Sequence, residues 1–135
     1  MMRVERVPIE WVHRTWPLVE KYIADALVHA QGEVSVEHAR VYVTTGEWVL
    51  FVAVDDSGVK GAATVQMMTR PMDRVAFVTA IGGKLISSSA MLVQFKQALA
   101  SMGATALEGA ARESVARLWS RHGFHEKYRI VGVKL

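Results

Sequence analysis

Residues 74–103 constrain this chain more than any other stretch. An apolar run, Val75-Ala76-Phe77-Val78-Thr79-Ala80-Ile81, leads into Gly82 and Gly83, a short polar loop over 84–89, and then a helical pattern. In that pattern Met91, Leu92, Phe95, Leu99 and Met102 share one face, Gln94, Lys96, Gln97 and Ser101 take the other, and Gly103 stops it. A strand apolar on both faces is a central strand with helices on both sides. A loop opening onto a helix N-terminus presents unpaired backbone N–H groups and the positive end of the helix dipole, a setting that favours an anion.

The rest of the chain supplies elements around that unit. Residues 2–7 alternate as a short strand. Over 9–30, Val12, Trp16, Val19, Ile23, Ala26 and Leu27 follow the helical period, and Pro17 predicts either a kink or a new helix beginning there. Ser35 is a candidate N-cap for a helix over 36–45 that Gly46 ends; Val41 and Val43 give it poor propensity, so packing must hold it. A strand over 47–54, the turn Asp55-Asp56-Ser57-Gly58 and an extended run over 59–69 read as a hairpin. The turn Arg70-Pro71-Met72-Asp73 then leads into the strand over 74–81. A strand over 104–108, a helix over 113–122 stopped by Gly123, and one or two strands over 124–135 complete the order. The strand–helix–strand passage over 75–108 implies a parallel pair with a right-handed crossover, so the sheet is expected to be mixed. No repeat or linker interrupts the chain, which reads as a single domain over 1–135.

Composition narrows the chemistry. With no cysteine, thiol catalysis and thiolate metal sites are excluded. The five histidines show no i, i+4 pair on one helix, which predicts no metal site. No apolar run reaches the roughly 18 residues of a membrane span, so a cytoplasmic protein without a membrane partner is expected. A formal charge of only +3, spread along the chain, is too weak for nucleic-acid binding, although a sequence pI near 9.4 suits a polyanionic cofactor.

The element order, together with Ala116-Arg117-Leu118-Trp119-Ser120-Arg121-His122-Gly123-Phe124, resembles the GNAT superfamily of acyl-CoA-dependent N-acyltransferases, over essentially the whole chain. The resemblance implies an α/β fold: a mixed twisted sheet with helices on both faces and a splayed central parallel strand pair. It implies acetyl-CoA or another acyl-CoA as cofactor, with its arm between the splayed strands and its pyrophosphate at the helix N-terminus. Ile81, Gly82, Gly83, Lys84, Ser87 and Ser88 are then the candidate cofactor-binding residues. A small-molecule or protein amine is the implied acceptor, Glu108 a candidate general base and Tyr128 a candidate proton donor.

The resemblance is altered at three places. The pyrophosphate-loop positions fall on Gly83, Lys84, Leu85, Ile86, Ser87 and Ser88, without the two expected later small residues in glycine form. Trp119 stands where many members carry an acidic tyrosine, and Arg112 where an asparagine is common. The chain is also similar to small divergent GNAT-like proteins of tailed bacteriophages, on Trp16 to Glu20 and the late helix before Gly123-Phe124. That second resemblance implies a fold kept for a structural or binding role, in the host cytoplasm or the virion, as a homo-oligomer or a phage-particle component. For Lys84 and Ser87 to Ser89 the commoner explanation is an N-cap and a solvated loop, and for Glu108 a strand-end surface carboxylate.

Overall fold

Five strands form one open sheet in sequence order, in a computed structural model that describes residues 1–135: β1 (Arg3–Arg6), β2 (Val49–Asp55), β3 (Gly58–Thr69), β4 (Arg74–Gly83) and β5 (Ala106–Gly109). Neighbours from β1 to β4 are antiparallel, while β4 and β5 are parallel, which makes the sheet mixed as the crossover requires. The β2–β3 turn closes through Asp55, whose Oδ1 accepts from the Ser57 backbone N–H at 2.8 Å and the Ser57 hydroxyl at 2.7 Å.

Helices cover both faces. On one side α1 (Ile9–Leu27) and α2 (Val36–Thr45) bury Val12, Trp16, Val19, Ile23, Ala39 and Val43 against Leu50, Val52, Ala62 and Ala80. On the other, α3 (Lys84–Ser87) and α4 (Ser89–Ser101) bury Leu85, Met91, Leu92, Phe95 and Leu99 against Phe51, Ala53, Ala63, Val65, Ala76 and Val78. Phe51 and Phe95 meet edge to face, with centroids 5.2 Å apart. After β5 comes α5 (Glu113–Ser120), which Trp119 anchors to the body of the protein. No helix is long and apolar enough to cross a membrane.

Local signals account for the boundaries. Ser35 caps α2 by accepting from the His38 N–H at 3.2 Å, and His38 Nδ1 returns the favour to the Ser35 N–H at 3.1 Å, so the imidazole does the work of the usual Glu or Gln. Gly46, at φ 85°, terminates that helix in the left-handed conformation. No new helix starts at Pro17, because α1 runs through it without a break. An interior proline costs about 3 kcal/mol, whereas each fully buried Val, Ile or Leu contributes roughly 1.5–3 kcal/mol, and Val12, Val19, Ile23 and Leu27 together outweigh the proline.

Two expectations are corrected. The polar loop over 84–89 is not a loop: β4 continues through both glycines and the chain turns at once into α3, because Leu85 is fully buried and pulls the segment against the sheet. Residues 124–135 form no strand; beyond Phe124 they make no backbone–backbone hydrogen bond, and Tyr128, Ile130, Val131, Val133 and Leu135 are exposed. Alternation identifies residues that would share a face, but it cannot supply the neighbouring strand that makes a face.

Candidate functional site

The site is built on β4, and a bulge divides that strand. Across β3, Val65 opposes Val78 and Thr64 opposes Ala80, so Thr79 is one residue too many. The bulge re-aims the chain: Val78 packs with the α4 cluster, whereas Ala80, two residues on, packs with the α1–α2 cluster. A hydroxyl pair holds it. Thr79 Oγ1 donates to the Thr64 carbonyl at 3.0 Å and lies 2.7 Å from Thr64 Oγ1, whose residue has no exposure.

The same point is where β5 leaves. Pairing between β4 and β5 covers only Val75↔Ala106, Ala76↔Leu107, Phe77↔Glu108 and Val78↔Gly109. From Thr79 to Gly83, β4 stays paired to β3 but has no strand partner on its other side. Because β5 ends at Gly109, the edge of β4 beyond Val78 is open on that side, and this is the opening of the site. Trp119 stands at its fork: a Cβ on Gly109 would lie 3.2 Å from the Trp119 ring and 3.5 Å from Val78.

At the far end of the opening, Ile81, Gly82, Gly83, Lys84, Ser87 and Ser88 come together where β4 meets α3 and the N-terminus of α4. The glycines serve packing here. A Cβ on Gly82 would lie 3.1 Å from the Tyr22 carbonyl of α1; one on Gly83 would strike the Lys60 carbonyl and the Gly61 Cα, and Gly83 also sits at φ 67°. Gly61, its partner on β3, is equally crowded, with Lys84 N at 2.8 Å from a Cβ built there. Ser88 is the N-cap of α4, accepting from Met91 N–H at 3.3 Å. Ser87 Oγ reaches the Gly83 carbonyl at 3.5 Å, and Lys84 is exposed.

Glu108 lies on β5 opposite Phe77, four residues before Ile81 along β4, or roughly 13 Å at the rise of a strand. Its carboxylate is 12% exposed and one oxygen, Oε2, takes both the Lys127 ammonium at 2.6 Å and the Arg70 guanidinium at 2.7 Å. Hydrogen bonding to Lys127, and then to Arg70, holds Glu108 below the usual carboxylate range although burial acts the other way; the same bond raises Arg70. A carboxylate so paired is a weak base. Tyr128 follows Lys127 on the tail and is 63% exposed. The structure therefore brings the six cofactor candidates together and leaves Glu108 with Lys127 and Arg70 as a separate cluster at the other end of the opening.

Arg70, Lys127, Thr64 and Thr79 escaped the sequence reading. Arg70 and Lys127 lie 38 and 19 residues from Glu108 in sequence, and only the tertiary fold unites them. The Thr79 signal was present, since one hydroxyl in an otherwise apolar run requires a partner. Two shallow hollows lie elsewhere: one of ≈ 380 Å³ between α1 and α2, lined by His13, Trp16, Glu20 and Arg40 among others, and one of ≈ 490 Å³ beside β1 and the start of α1.

This architecture is the GNAT fold. A ribosomal-protein-alanine N-acetyltransferase from Brucella melitensis biovar Abortus 2308 superposes with a TM-score of 0.71 at 14% identity, over 100% of this chain and 99% of that one. An aminoglycoside acetyltransferase from an uncultured soil metagenomic sample, in complex with sisomicin, gives 0.70 at 12% identity over 99% and 96%. A predicted acetyltransferase from Clostridium acetobutylicum, solved with acetyl-CoA, gives 0.67 at 11% identity over 99% and 96%. At such identities the likeness is one of fold. No family model matches the sequence. No curated protein matches it either.

The residues present fit an acyl-CoA in part. The unpartnered edge of β4 over 79–83 offers free backbone groups to an extended amide-bearing arm, as a strand edge does for a peptide. For the phosphates, Gly82 and Gly83 turn their Cβ sides toward Tyr22 and β3 while Gly83 itself is exposed, and the α4 N-terminus with Lys84 beside it completes the polar end of the site.

Proposed function

We propose that this protein is an acyl-CoA-dependent N-acyltransferase with an altered pyrophosphate loop. The observation that carries the reading is the free edge of β4 beyond Val78, opening beside the α4 N-terminus. In this reading the backbone of Ile81, Gly82 and Gly83 orders the arm, and Lys84 with Ser87 and Ser88 at the turn into α4 receives the phosphates. When bound, acyl-CoA supplies the thioester carbonyl that an acceptor amine attacks. In this reading, backbone N–H groups of β4 polarise that carbonyl.

Glu108 serves the acceptor. With Lys127 in place it attracts a cation and binds protons poorly; withdrawal of Lys127 removes the largest influence lowering its pKa and makes it a better base for an ammonium or an intervening water. Tyr128, carried on the same tail, is the phenol available as a proton donor, since the indole of Trp119 has no useful acidity. The acceptor is a small-molecule or protein amine. No metal takes part in this reading.

The test is thermal stability across a titration of acetyl-CoA, with CoA and ATP as controls. A ligand bound only by the folded state raises the melting temperature by mass action, about 2.7 kcal/mol at a hundredfold excess over Kd. A shift specific to the CoA ligands and lost in Lys84→Glu is expected. Absence of any shift at millimolar ligand sinks the reading.

A second reading has its own support: backbone crowding at the Cβ sides of Gly82 and Gly83 accounts for both glycines, and the buried Trp119 stands where the resemblance expects a tyrosine. In it the chain is a GNAT-fold binding or structural protein, phage-encoded, working in the host cytoplasm or the virion. It requires no CoA-dependent shift and a larger assembly in which this chain co-purifies stoichiometrically.

A further inference from the structure

The hollow of ≈ 380 Å³ between α1 and α2 has no residue of the sheet in its lining. On the α1 side it is lined by His13, Trp16, Pro17 and Glu20, at the i, i+3, i+4 and i+7 spacing of one helix face. The far wall is α2. A Cβ on Gly46, just past the end of α2, would lie 2.9 Å from the Ile9 side chain at the start of α1. The two helices therefore run antiparallel, which sets Glu20 toward Arg40 and His13 toward Thr44.

Several polar groups in these walls are left without an answer. Trp16 is only 5% exposed, and its Nε1 finds no hydrogen-bond partner; a buried donor in that state calls for an acceptor. Pro17 has no backbone N–H, so the His13 carbonyl one turn earlier is without its usual helical donor. Across the hollow the Thr44 hydroxyl donates to the Arg40 carbonyl at 2.6 Å, which leaves its oxygen lone pairs to accept. Glu20 and Arg40 do not neutralise each other, since Arg40 makes only a loose pair with Glu37, at 3.8 Å on its own helix.

We propose that this hollow binds a free α-amino acid with an apolar side chain. Two opposite charges line one cavity without pairing, and a molecule that carries both charges on neighbouring atoms answers both at once. The ligand carboxylate meets the Arg40 guanidinium, whose planar fork matches two oxygens, and accepts from Trp16 Nε1. Its ammonium meets Glu20, with the His13 carbonyl as a further acceptor, and its side chain lies on Trp16, Pro17 and Val41. Because Nε1 is itself covered, an exposed rim side chain, His13 or Arg40, turns aside as the carboxylate enters. Ligand pockets run from about 300 to 1,000 Å³, and ≈ 380 Å³ stands at the small end of that range, as a single amino acid requires. The inference is independent of the acyl-transfer reading: it uses no residue of that site, and its test needs no acyl-CoA.

The test follows the indole N–H resonances of the ¹⁵N-labelled protein during titration with L-leucine and, in parallel, L-phenylalanine. The chain has four tryptophans, and the resonance missing from Trp16→Phe belongs to Trp16. Expected is a saturable shift of that resonance with a Kd below about 1 mM for at least one of the two amino acids. For the leucine skeleton, 4-methylpentanoate, which lacks the amine, and 3-methylbutylamine, which lacks the carboxylate, bind at least about tenfold more weakly. Arg40→Ala and Glu20→Gln, at exposed positions, leave thermal unfolding unchanged and each weaken amino-acid binding at least about tenfold. Calorimetric titration of the wild type and these two variants gives the same affinities without Trp16→Phe, the one substitution at a buried site. The proposal is overturned by no saturable response to either amino acid at about 10 mM, or by a response that leaves the Trp16 resonance unmoved. Single-charge analogues that bind as well as leucine, or charge variants that bind like the wild type, overturn it equally.

Discussion

The two halves of β4 share one backbone and lead different lives. From Val75 to Val78 the strand is paired on both sides, with Val75 and Ala76 fully buried; from Thr79 to Gly83 it is paired to β3 alone. The difference arises at one extra residue, Thr79, and one hydroxyl pair. Burial and double pairing make the first half a scaffold, and the bulge ends that regime just where an opening is useful. A single inserted residue thus separates stability from availability within one strand.

The comparison can be broken at four places. The largest effect is expected for Gly83→Ala, because the new Cβ meets backbone rather than a side chain that could move, at a positive φ; about 3 kcal/mol or more is lost in urea unfolding. A loss under about 1 kcal/mol would mean that the end of β4 is not clamped. In the doubly paired half, Val75→Ala empties a fully buried site and costs about 2 kcal/mol without changing any ligand response.

Thr79→Val removes a partner from the buried Thr64 hydroxyl and costs about 1–2 kcal/mol. Adding Thr64→Val should recover part of that loss, because two apolar groups leave nothing unpaired; a strictly additive double variant would show that the hydroxyls do not hold the bulge together. The smallest change is expected for Glu108→Gln, about 1 kcal/mol at neutral pH. Since the folded pKa of Glu108 lies below its unfolded value, its contribution is present above pH ~4.3 and fades as pH falls through the lower folded pKa. The wild type and Glu108→Gln should therefore converge in stability as acid is added, and parallel curves would remove Glu108 from the ion-pair cluster.

Much of the fold was legible before any coordinates. Helical and two-residue periods located α1, α2, α4 and the hairpin, and Ser35, Gly46 and the Asp55–Ser57 turn marked their ends through local chemistry. What escaped depends on partners distant in sequence. A buried Leu85 turned an expected polar loop into α3, and the tail pattern, which reads as strand, has no neighbouring strand. At the candidate site, the six residues around the end of β4 lie together because they are consecutive or nearly so. Glu108 lies on β5 near its end, as its sequence position suggests, but the cations that set its character, Arg70 and Lys127, could be placed beside it only by the fold. The glycine pair shows how one residue type can answer two demands: the sequence reading gave it to an anion, and crowding by Tyr22 and Lys60 by itself requires it.

Trp119 has one more consequence. Three of the four tryptophans are buried, and Trp119 alone rests on Gly109 and beside Val78, at the fork where β4 and β5 part. Its indole emission is thus sensitive to the polarity and motion of that fork, while Trp16 and Trp48 report on the opposite face of the sheet and Trp11 on solvent. Subtracting the spectrum of Trp119→Phe from that of the intact chain isolates this signal. The residue that cannot take part in acid–base chemistry gives the opening an optical reporter of its own, readable in a cuvette without a label.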